Sequence, residues 1–124
     1  FSGSFKIPKG LLSISSLAFS NCAFTGEAEI PEGVTCIHEW AFSNSENLQK
    51  IILPSGLELI DVGAFHNCKS LRVVECKSTI PPVVNDRAFN GVPLEDLTVI
   101  VPGPALNDYK SSESWSGFKH IIAK

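Results

Sequence analysis

The stretch FTGEAEIPEG at residues 24–33 nearly copies FSGSFKIPKG at residues 1–10, and the copying continues at a period of 23 residues. Pro8, Pro31 and Pro54 share one column, with Gly10, Gly33 and Gly56 two positions later. Ile14, Ile37 and Ile60 follow, then the pairs Ala18-Phe19, Ala41-Phe42 and Ala64-Phe65, then Asn21, Asn44 and Asn67. Apolar stretches close the units: Ile30, then LQKIIL at 48–53 and LRVVEC at 71–76. A looser fourth unit has Val84, Ala88-Phe89, Asn90 and LTVIV at 97–101 before Pro102, its Ala-Phe spacing lengthened to 24.

Such a pattern dictates a solenoid. A unit this small cannot bury its own apolar side, so each coil must bury it against the next. The alternation in LQKIIL and LRVVEC predicts one strand per coil, all pointing the same way, in a parallel sheet. Pro ends each strand, and the Gly two residues on permits the turn. Phe19, Phe42, Phe65 and Phe89 recur at one place in every coil, which predicts a stacked core rather than a ligand groove. The Asn column is expected to hydrogen-bond the backbone of the turn. After Pro102 the period is lost, and PGPALNDYKSSESWSGFKHIIAK carries helix-start signals, Tyr109, Trp115 and Phe118. Residues 1–101 therefore read as repeats and 102–124 as the cap that covers the last coil.

The repeat unit, seen at its fullest in IPEGVTCIHEWAFSNSENLQKIIL (30–53) and LPSGLELIDVGAFHNCKSLRVVEC (53–76), resembles the BspA-type leucine-rich repeat family. The tail after Pro102 is similar to the closing segment of such arrays. Thr25 departs from the pattern, standing where later units have Leu48 and Leu71, and so does Pro81-Pro82-Val83, which lacks the Gly. The resemblance implies a right-handed leucine-rich-repeat solenoid, α/β or mainly β, on the bacterial cell surface or in secreted or lipid-anchored proteins. It also implies a non-catalytic adhesion or protein-interaction role, with a host or bacterial surface protein as partner. The alternative is a structural spacer or glycan-binding accessory domain of a larger surface protein.

Composition narrows the chemistry. A net charge of −3 leaves no basic excess for a phosphate backbone, so nucleic acid is not expected. No apolar run approaches the roughly 20 residues of a membrane-spanning helix. His38, His66 and His120 stand at unrelated positions, no Cys-x-x-Cys occurs, and no serine has a nucleophile's context, so neither metal, cofactor nor catalysis is expected. Cys22 and Cys68 share a column two coils apart, roughly 10 Å, beyond the ~7 Å reach of a disulfide. With Cys36 and Cys76 in slots held elsewhere by Leu59 and Leu53, all four cysteines read as free, buried, small hydrophobes.

Recognition is left to the outward strand positions. One column reads Lys6, Glu29, Ile52, Glu75, Ile100, and its neighbour Ser4, Glu27, Lys50, Val73, Thr98. Lys6 with Glu29, and Glu27 with Lys50, are opposite charges on adjacent rungs and neutralise one another. Lys50, Ile52, Arg72, Val73, Glu75 and Ile100 form the candidate contact surface, with isoleucines and a valine where solvent is expected. Trp40 joins them, as the aromatic that interrupts a column of Leu17, Val62 and Arg87. Having no Met and opening inside a repeat unit, the chain reads as part of a longer array, which exposes its first strand to self-association through the edge around Phe1, Phe5 and Ile7.

Overall fold

A computed structural model describes residues 5–7, 9–22 and 25–124. The expectations placed on Phe1, Ser4 and Pro8, and on the side chains of Phe5 and Lys6, lie outside the described residues. The chain coils as the repeats require. Strands β1 (Phe5–Lys6), β3 (Gly26–Glu29), β5 (Leu48–Leu53), β7 (Val73–Cys76), β9 (Thr98–Val101) and β10 (His120–Ala123) form a six-stranded parallel sheet in the order β1-β3-β5-β7-β9-β10.

Each repeat holds a second strand as well. β2 (Ser13–Ile14), β4 (Cys36–Ile37), β6 (Leu59–Ile60) and β8 (Val83–Val84) make a four-stranded parallel sheet on the other side of the coil. Two residues are too few for alternation to show in a sequence. The β-branched column Ile14, Ile37, Ile60, Val84 nevertheless turns inward at the same height in every coil, which lets the neighbouring backbones pair.

The core lies between the sheets. Ile51, Val74 and Val99 meet it from the large sheet, Ile37 and Ile60 from the small one, and all five are fully buried. The phenylalanines stack beside them: ring centroids are 5.2 Å apart for Phe19 and Phe42, 5.3 Å for Phe42 and Phe65, and 5.1 Å for Phe65 and Phe89. Phe118 of the tail ends the column edge-on against Phe89 at 5.2 Å.

Between Phe and strand, each turn passes through the left-handed region. Asn21, Asn44 and Asn67 have φ of 59–60°, and Gly91 follows at 88°. Asn tolerates that conformation better than other residues with a side chain. Its side chains reach other side chains rather than the turn backbone: Asn67 Nδ2 donates to Asn44 Oδ1 at 3.1 Å and Asn21 Nδ2 to Ser20 Oγ at 3.3 Å. The Asn column is thus selected by backbone conformation, and its fourth member is Gly91, not Asn90.

The tail is more than a lid. After a helical turn at Gly103–Ala105, helix α1 (Leu106–Ser111) leads to a loop and then to β10, which adds a sixth rung beside β9. Tyr109 and Trp115 are fully buried, and their polar ends hold the irregular fourth unit. Tyr109 O–H donates to Ser78 O at 2.7 Å, and Trp115 Nε1–H donates to Pro82 O at 2.9 Å. Val84 N–H, at the open edge of β8, donates to Ser114 Oγ at 3.0 Å. The unit that lost its Gly is the one the tail clamps. At the other end, Thr25 lies outside the strand, and Gly26 takes its place opposite Leu48 across a register shift.

Candidate functional site: the outward face of the large sheet

The period-two alternation that sends Ile51, Val74 and Val99 inward turns their neighbours outward. Cross-strand pairing sets Glu27, Lys50, Val73, Thr98 and His120 in one row, and Glu29, Ile52, Glu75, Ile100 and Ile122 in the next. Five of the seven residues singled out in the sequence, Lys50, Ile52, Val73, Glu75 and Ile100, are therefore brought together on one face. Ile122 extends the row and is 49% exposed. It carries no repeat signal, because β10 lies outside the repeat.

The charges on this face are paired. Lys50 Nζ lies 3.9 Å from Glu27 and 3.5 Å from Glu75, Lys124 Nζ lies 2.7 Å from Glu75, and Lys77 Nζ lies 3.1 Å from Glu29. Glu75 is the centre of the arrangement, its side chain only 11% exposed between Ile52 and Ile100. The hydrogen bond from Lys124 holds its carboxyl below the usual range, against the opposing effect of burial. The exposed pairs contribute a few tenths of a kcal/mol each at most. Their effect is to neutralise the surround, leaving Ile52, Val73, Ile100 and Ile122 as its apolar centre. A shallow cavity of about 440 Å³ opens beside them over Glu75, Lys77, Ile100, Pro102 and Lys124.

Arg72 stands at the edge of this face, lining a cavity with Gln49, Lys50 and Val73, and Trp40 is placed elsewhere. Arg72 precedes β7 and folds back, Nη1 donating to Lys69 O at 2.8 Å and Leu71 O at 3.0 Å. Trp40 lies on the turn side of the coil with φ of 61°, in the column of Leu17 (φ 62°) and Gly63 (φ 66°). Gly63, not Val62, is its counterpart. The indole lies across Gly63 and meets His66 edge-on at 5.3 Å.

All four cysteines are free, but only two are buried: Cys68 and Cys76 are enclosed, whereas Cys22 and Cys36 are half-buried. Cys36 faces outward from β4 with its sulfur 3.7 Å from His38 Nδ1. Burial raises all four thiols, Cys68 to about 12, so none is a ready thiolate. Among the described residues no three His, Cys, Asp or Glu side chains gather where they could hold a metal ion.

The profile of the BspA type Leucine rich repeat region matches residues 2–108 in six copies. The chain belongs to the BspA-type leucine-rich repeat family. Its solenoid is similar to the crystal structure of the pneumococcal vaccine antigen PcpA, with 18% identity and a TM-score of 0.54. That likeness covers 98% of this chain and 41% of the other, so this leucine-rich repeat chain spans about two-fifths of the antigen's length. No curated protein matches it.

Proposed function

We propose that this leucine-rich repeat chain is a non-catalytic module of a bacterial surface or secreted protein, and that it contacts a partner protein through the outward face of its large sheet. The observation that carries the reading is the set Ile52, Ile100 and Ile122, which share a row with the ion-paired Glu75, with Val73 beside it, on strands whose outer side faces solvent. Charged neighbours that neutralise one another leave that row as the adhesive part of the face. Resemblance to a vaccine antigen supports an exposed setting.

Area limits the strength of this contact. Six rungs at about 4.8 Å, with three residues of each strand at about 3.3 Å, give roughly 240–290 Å². A standard interface takes about 800 Å² from each partner. The loops at either end of the strands, or further repeats, must supply the remainder.

The reading is tested with beads coated with the chain and measured for adherence to host epithelial cells and to bacteria. Ile52→Asp with Ile100→Asp should abolish adherence, while Leu12→Asp, on the small-sheet side, should leave it unchanged. Equal adherence of all three forms, or loss in Leu12→Asp alone, would refute the sheet face as the contact surface.

A further inference from the structure

Every turn before the last hands its amides to the coil that follows. Phe19 N–H donates to Ala41 O, Phe42 to Ala64 O and Phe65 to Ala88 O, at 2.7–2.8 Å. Asn21 donates to Ser43 O, Asn44 to His66 O and Asn67 to Asn90 O over the same distances. The fourth turn offers the matching donors at Arg87, Phe89 and Gly91, but among the described residues no fifth turn stacks on it. Arg87 N–H turns aside to Asn85 Oδ1 at 3.0 Å. Phe89 N–H and Gly91 N–H have no acceptor among the described residues.

The tail fills this space only in part. Ser114 and Trp115 satisfy the back strand, and Phe118 covers the ring of Phe89, but the loop between them stops short of the turn. What remains is a cavity of about 320 Å³. Val84, Phe89, Leu94 and Phe118 give it apolar walls, and Asp86 and Glu113 stand on its lining without an ion-pair partner among the described residues.

We propose that this cavity binds a short peptide segment of a partner protein, with its backbone carbonyls on Phe89 N–H and Gly91 N–H and a basic side chain on Asp86 and Glu113. The two donors stand two residues apart, as do the donors beneath them that take the carbonyls of Ala88 and Asn90. A bound anion would face two carboxylates and no Lys or Arg on the lining. A purely apolar ligand would strip water from both amides and leave them without an acceptor, which disfavours its binding. The volume is at the small end of ligand sites, about 300–1,000 Å³, and suits roughly two or three residues.

The premise is checked by amide hydrogen exchange, in which Phe89 and Gly91 should exchange much faster than Phe65 and Asn67. Binding is checked by titrating the ¹⁵N-labelled chain with the capped tripeptide acetyl-Gly-Arg-Gly-amide, and with acetyl-Gly-Glu-Gly-amide as its acidic counterpart. The basic peptide should move the Phe89 and Gly91 amide protons downfield and saturably. Asp86→Asn combined with Glu113→Gln, both exposed and isosteric, should weaken its binding by about 3–10-fold. The proposal is overturned by protected Phe89 and Gly91 amides, by equal response to the acidic peptide, by saturable shifts elsewhere only, by no saturable shift, or by unchanged affinity in the double variant.

Discussion

Gly63→Ala is the smallest substitution that interrogates how successive turns fit. A Cβ at Gly63 would overlap Cε3 and Cζ3 of Trp40 and lie 2.6 Å from its Cδ2. The indole is rigid and cannot give by a few tenths of an ångström at three atoms together, so it must leave its seat. Losing the packing of an aromatic that is already 37% exposed costs about 1–2 kcal/mol, well below the 3–5 of a fully buried one. Holding Ala at φ 66° in place of Gly adds about 1 kcal/mol. The sum, about 2–3 kcal/mol, corresponds to a fall in Tm of roughly 8–15 °C for a chain of this size.

A double-mutant cycle isolates the clash. In a Trp40→Ala background the three atoms nearest the new methyl are gone, so Gly63→Ala should cost little beyond its backbone strain of about 1 kcal/mol. Urea and thermal melts of the four proteins should therefore show a coupling of about 1–2 kcal/mol. Fluorescence gives a second readout, because Trp115 is fully buried and any red shift in Gly63→Ala reports Trp40 moving into water. Additive effects within about 0.3 kcal/mol, with unchanged emission, would refute the seating of Trp40 on Gly63.

Phe42→Ala and Phe65→Ala should each cost about 3–5 kcal/mol in thermal or urea melts, and Phe19→Ala, half-buried at the end of the stack, distinctly less. A thiol reagent applied to the native chain should modify Cys22 and Cys36 first, and Cys68 and Cys76 only after unfolding, with no reductant needed for any of the four. Raising the pH toward 9 should not make Cys68 reactive in the native state, since its thiol titrates near 12. Glu75 has a lowered carboxyl pKa, so its contribution to stability is fully present above the unfolded value of about 4.3 and is lost as pH falls through the folded value. Lys124→Ala, which removes the main cause of that lowering, should therefore destabilise the chain near pH 6 and match wild type near pH 2; a difference independent of pH would contradict the Lys124–Glu75 bond.

Much of the fold was legible because its signals repeat. The inward columns stay apolar in coil after coil, and the rows Glu27-Lys50-Val73 and Glu29-Ile52-Glu75 follow from alternation on strands of four to six residues. The back strands were not legible, since two residues carry no period. Aligning Trp40 with Val62 misses its column by one residue, because no residue type marks that column. The mark is a left-handed backbone, shared by Leu17, Trp40 and Gly63 despite their different chemistry. Ile122 and Lys124 could not be read at all, because the tail joins the sheet by tertiary pairing and not by continuing the repeat.

Where the columns vary then becomes informative. The buried columns change in size, from Ala28 to Ile51 to Val74, but stay apolar, because every coil closes on the same packed core. The turn column varies from Leu17 to Trp40 to Gly63, but packing accounts for the change: Gly63 is small because Trp40 lies on it. The outward rows of the large sheet vary just as widely, and nothing inside the coil requires an isoleucine at 52, 100 or 122. A polar residue there would keep the strand, its register and its inward partner unchanged. The solenoid sets where each side chain stands on that face and leaves its identity open, so selection for a partner would act on these rows without a cost to folding.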